Sequence, residues 1–138
     1  MMKKFSHAAL FSLMALGAMS AAPGLNAQEA DISTTENARR QMAVRDAMQE
    51  LQEARLAYQA RRYSDAVERY RNALAVLPKA PATVAQEKFI KESLSDALIA
   101  KAIDYRAVGR KDEAVSFLKE ALELAPDNQR AKVELVHT

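Results

Sequence analysis

The chain has 138 residues, and few of them could do covalent or metal chemistry. It holds two histidines, His7 and His137, and no cysteine. His137 is next to last, where a chain end frays, and His7 lies in a segment read below as removable. Without cysteine there is no thiol nucleophile, disulfide, Cys-ligated zinc or iron–sulfur cluster. No serine stands in a nucleophile elbow, no glycine-rich loop offers a phosphate cradle, and no acids or histidines repeat at metal-ligand spacing. Glu50 and Glu53 share a helix face at i,i+3, which on a charged helix reads as solvated surface. Arg61-Arg62-Tyr63 could stack a base, but reads better as a turn with a packed tyrosine. The residues therefore predict no catalytic group, no metal, no cofactor and no enzyme.

The start of the chain reads as an export signal. Lys3 and Lys4 give a short positive region, residues 8–22 are apolar, and Pro23, Gly24 and the small Ala27 follow. This order defines a secretory signal peptide, with cleavage expected after Ala27 or, because Leu25 is larger than the ideal small residue, after Ser20 or Ala22. The apolar run is shorter than the ~20 residues a membrane span needs. Export would place the protein in the periplasm of a Gram-negative bacterium. Removing 27 of the 138 residues leaves 111, enough for one domain. The 20 Lys and Arg then fall to 18, matching the 18 Asp and Glu. A neutral domain without a basic tract predicts no nucleic-acid partner. Beyond Ala27 only Gly109 and three prolines, Pro78, Pro81 and Pro126, remain. That is too little turn chemistry for a β-sandwich or barrel, and the expected fold is all-α.

The elements follow from periodicity. Residues 28–34 form a polar lead, and a capping box at Ser33-Thr34-Thr35-Glu36 predicts a helix start. From there to Arg62 nothing breaks a helix, and Val44, Ala47, Met48, Leu51, Ala54 and Tyr58 make an apolar stripe. A second helix fits residues 64–77, stopped by Pro78. A third starts at Pro81 or Thr83, with Thr83–Gln86 as another capping box, and ends at Gly109. A fourth fits residues 111–124 before Pro126. A fifth, residues 129–136, would act as a capping helix after Asp127 and Asn128. The chain stops part-way through it, as expected for a piece of a longer protein or a short paralogue.

Shifted by 48 residues, the sequence matches itself. Ser64-Asp65-Ala66-Val67 lies over Asp112-Glu113-Ala114-Val115, and residues 70–78 lie over 118–126. Each unit is helix, tight turn, helix, proline. This pattern resembles the tetratricopeptide repeat. The second copy, residues 95–128, carries Leu98, Ala102, Tyr105, Gly109, Ala114, Leu118, Ala121 and Pro126. The first, residues 47–80, carries Ala54, Tyr63, Ala66, Tyr70, Ala73 and Pro78. It departs at Glu50 and Glu53, where apolar residues are usual, and at Arg61, where a turn glycine is expected. Lys101 replaces a usual leucine. The resemblance implies a short solenoid of antiparallel helix pairs over residues 35–138, with extended first helices. Close helix crossing needs the small Ala54, Ala66, Ala102 and Ala114. The family repeat is 34 residues, so residues 81–94 are a helical insertion. It is expected to pack on the extension of the first helix through Ala38, Met42, Phe89, Ile90 and Leu94, enlarging a core that two repeats alone leave small.

The resemblance also implies a non-enzymatic protein-binding scaffold or assembly factor. Its groove would be lined by Met48, Leu51, Gln52, Arg55 and Tyr58 from the first copy and Ile99, Ile103 and Arg106 from the second. Leu51, Ile99 and Ile103 suit an amphipathic helix or peptide of an envelope protein, with Arg55 and Arg106 pairing acids at its edge. No small-molecule substrate is implied. Pro78 and Pro81 followed by Lys-Phe-Ile-Lys-Glu-Ser-Leu (88–94) looks similar to N-terminal modules of secretin-type outer-membrane proteins. This suggests a link to type II secretion or a type IV pilus system. A self-assembling structural protein, a homo-oligomer stacked end to end, and a periplasmic chaperone for unfolded clients remain open.

Overall fold

A computed structural model describes residues 23–138, with side chains from residue 28. The expected export segment, residues 1–27, therefore lies outside the described side chains, and residues 1–22 lie outside the described structure altogether. Five helices make up the fold among the described residues: α1 (Pro23–Gln59), α2 (Tyr63–Val76), α3 (Val84–Ala107), α4 (Lys111–Leu124) and α5 (Gln129–His137). A 3-10 turn, Pro81–Thr83, precedes α3. The architecture is an all-α solenoid of helical hairpins, as the repeat implied.

Two compact units divide the chain after Arg39. In the first, α1 is already formed and every described side chain is exposed. The capping box expected at Ser33–Glu36 is not made. The Thr34 hydroxyl donates to the Ala30 carbonyl at 2.7 Å, and that of Thr35 to Asp31 at 2.8 Å. Hydroxyls bonded one turn back sit inside a helix, so the chain passes straight through this point.

The second unit, Arg40 onward, holds the core. Ala54, Ala66, Ala102 and Ala114 are each at most 1% exposed. Tyr70 and Leu118 fill the space beside them. Lacking bulk at these positions, the helices approach closely, and packing rather than propensity holds them. Within residues 40–138 the expected burial of Met42 against Phe89 is corrected. Ile90 and Leu94 are buried, but Ala38, Met42 and Phe89 are exposed, Met42 at 63% and Phe89 at 48%. The apolar side chains on one face of the insertion reach the core, and Phe89 turns outward.

The two hairpin turns show the repeat in three dimensions. At the end of α3, Gly109 has φ 84°, and the Arg110 N–H donates to the Tyr105 carbonyl at 2.9 Å. At the end of α1, Arg61 has φ 61°, and the Arg62 N–H donates to the Ala57 carbonyl at 2.9 Å. Both close the helix with a left-handed residue and a six-to-one bond. Arg61 adopts a backbone conformation that glycine takes without cost.

Glu50 and Glu53, expected to be merely solvated, both hold Arg69 of α2, at 3.1 and 2.9 Å. Charged residues thus replace the usual apolar contact between α1 and α2. Arg71 ties α2 to α4 through two bonds to Glu120, at 2.7 and 2.8 Å. Thr83 does not cap α3; it serves the 3-10 turn before it. Its hydroxyl donates to the Pro78 carbonyl at 2.5 Å and accepts the Ala80 N–H at 3.3 Å, pinning the turn into α3. A buried polar joint links the last three helices. Ser95 donates to the Ala121 carbonyl at 2.9 Å and accepts from the Asn128 amide at 3.1 Å. The Asn128 carbonyl oxygen in turn accepts the Ala131 N–H, capping α5.

Candidate partner-binding surface

The eight residues that the repeat placed in a groove separate into two groups. Met48, Leu51, Gln52 and Arg55 recur at helical spacing on α1 and line one hollow of about 490 Å³ with Leu56 and Gln59. Tyr58 lines a second hollow of about 210 Å³, which shares Arg55 and Gln59 with the first. The two therefore adjoin. The far wall of the second hollow is Phe89, Ser93 and Asp96, all on α3. Phe89 and Ser93 belong to the insertion, so the added turns of α3 build part of the groove.

The second-copy residues behave differently. Ile99 is 0% exposed and lies in the core, so it is not a groove residue. Leu51, at 9%, offers the groove only an edge. Ile103 is half-buried and packs against the core. Arg106 is occupied by α5: it pairs with Glu134 at 2.9 Å and donates to the Thr138 hydroxyl at 3.0 Å. Helix α5 and the last residue thus engage the side chain expected to greet a partner.

The open groove is amphipathic. Phe89 and Leu56 are 48% and 55% exposed. Arg55 is exposed and makes no ion pair among the described residues. Asp96 lies in the same hollow and accepts from the Asn128 amide at 3.1 Å. Tyr70 closes the floor. Burial pushes its phenol above the ordinary range, while nearby Arg55 and Ser93 oppose the shift. A neutral, buried phenol beside a free guanidinium suits recognition of an apolar side chain flanked by an acid.

Phe89, Ser93, Asp96, Leu56, Gln59 and Tyr70 were not read as groove residues from sequence. The signal for Phe89 was present: on a helix, Phe89, Ser93 and Asp96 fall at spacings of four and three, one face. No cluster of three or more His, Asp or Glu able to hold a metal occurs among the described residues. No helix of the described residues is long and apolar enough to cross a membrane.

The chain matches no curated protein and no solved structure. Over residues 95–128, from the start of the second repeat in α3 to the residue that caps α5, it is similar to the tetratricopeptide repeat, a protein-interaction family.

Proposed function

We propose that this protein is a non-enzymatic binding module that captures a protein partner in the groove between α1 and the insertion half of α3. The carrying observation is that the exposed Phe89 of α3 and Arg55 of α1 line one hollow. An exposed aromatic beside an unpaired cation on a rigid frame is a docking feature rather than a core one. The partner class is an extended or helical segment with an apolar anchor and a nearby carboxylate.

The protein is further read as exported, working in the cell envelope as a scaffold or assembly factor. Support comes from the sequence of residues 1–27. The Pro78 to Leu94 motif suggests a secretin-type machine as the assembly served, a reading carried by sequence alone. Capture with a C-terminal tag in the native cell tests the binding claim. Wild type should recover one dominant protein, and Phe89→Asp and Arg55→Glu should each lose it while keeping helical content. Equal recovery by the variants would refute the groove, and a broad spread of unfolded clients would replace the scaffold with a chaperone. N-terminal sequencing of the cellular protein tests export: a start at Gln28 supports it, and an intact Met1 contradicts it.

A further inference from the structure

We propose that the chain also self-associates, by seating the Met42–Arg45 face of α1 from one copy in an acidic slot on another. The slot exists because α3 starts at Val84, well before the repeat itself begins at Ser95. Its first turns run past the α4–α5 turn and leave a cavity of about 570 Å³ between them. The slot presents Glu87, Glu92, Asp96 and Asp127 against Lys88 and Lys91. Lys91 is held by Glu87 at 3.0 Å, and Lys88 faces Glu92 at 3.9 Å. Two carboxylates remain in excess. Helix α4 ends here with no basic residue in its last turn, so its partial negative charge adds to the excess. Val84, 60% exposed, with Leu124 and Pro126 supplies an apolar wall. Such a slot selects a cation beside a flexible apolar side chain.

The chain carries that complement. Met42 and Arg45 stand at i,i+3 on α1, on one face. Met42 is 63% exposed, Arg45 is exposed, and Arg45 makes no ion pair among the described residues. A methionine adapts to an irregular wall, and an arginine can bridge two carboxylates. Patch and slot are different surfaces, so exchange between two copies closes a symmetric dimer and one-way docking builds a chain.

Sedimentation velocity of the purified chain over a concentration series, at low and at high salt, tests this. Wild type should grow from monomer to a larger species with concentration, more weakly at high salt. Arg45→Glu, Glu92→Arg and Asp127→Lys should each weaken association by about tenfold or more, since reversal sets like charges together. All three positions are exposed, and circular dichroism should show unchanged helicity. The double reversal Arg45→Glu with Asp127→Lys should restore association to within about threefold of wild type. Val136→Asp, on the 83% exposed end of α5, should change nothing. A wild type that stays monomeric, single reversals that associate normally, or a double reversal no better than its parts would each overturn the proposal. Loss of association in Val136→Asp would overturn it too, in favour of end-to-end stacking.

Discussion

Replacing Ile99 by alanine separates the core from the groove. By repeat position this side chain should meet a partner, yet it is 0% exposed. Ile→Ala removes three carbons, worth about 0.8 kcal/mol each on transfer, or roughly 2.4 kcal/mol. The cavity left in a close-packed alanine-rich core raises the cost to about 3–4 kcal/mol. For a domain of this size 1 kcal/mol moves the midpoint by about 4–8 °C, so Tm should fall by roughly 12–32 °C. Circular dichroism at 222 nm through a thermal ramp reads the shift, and a urea titration should show a lower midpoint with an unchanged slope. Gln52→Ala, on the exposed side of α1, should shift Tm by no more than a few degrees. An Ile99→Ala protein that melts within about 3 °C of wild type would refute the burial argument and return Ile99 to the groove.

Three further outcomes are expected. Arg61→Gly should stabilise the fold by about 1 kcal/mol, because φ 61° strains a side-chain-bearing residue; the reverse change Gly109→Arg should cost about as much, from backbone strain alone, since nothing lies within 4 Å of a Cβ placed there. Asn128→Ala should cost about 1–2 kcal/mol by removing the α5 cap and leaving Ser95 short of a donor, visible as a lower urea midpoint. Stability should fall above about pH 10: the unfolded chain releases the Tyr70 proton at the ordinary phenol value, whereas burial holds it on in the fold, so this contribution is full below that value and is lost as pH rises through the folded one. Tyr70→Phe should flatten that alkaline fall, measured as Tm against pH; an identical fall would show that other groups cause it.

Much of the fold was legible because one pattern appears twice. The 48-residue shift marked both hairpins, and the alanines it aligned are the buried ones. Arg61 departs from the glycine expected at this turn, yet the same left-handed turn forms, because the six-to-one bond and the packing on both sides fix it. The start of α1 is not legible locally, because hydroxyls at Thr34 and Thr35 suit either a cap or a bond one turn back, and local sequence does not choose. The groove was half legible. Helical spacing alone assigns Met48, Gln52 and Arg55 to one face of α1. Whether Ile99 is covered depends on how deep α3 sits among α2, α4 and α5, which no single-helix pattern encodes. The engagement of Arg106 is hidden for a related reason: its partner Glu134 lies on the short last helix, far along the chain.

The most direct test of the central claim is photocrosslinking in the native cell from a reactive amino acid placed at Gln52, with Lys119 on α4 as the control. Both positions are exposed, so both probes should be tolerated. The groove reading predicts one discrete adduct from position 52, lost when Arg55→Glu is added, and none from position 119. Adducts of equal pattern from both positions, or none from position 52, would contradict it.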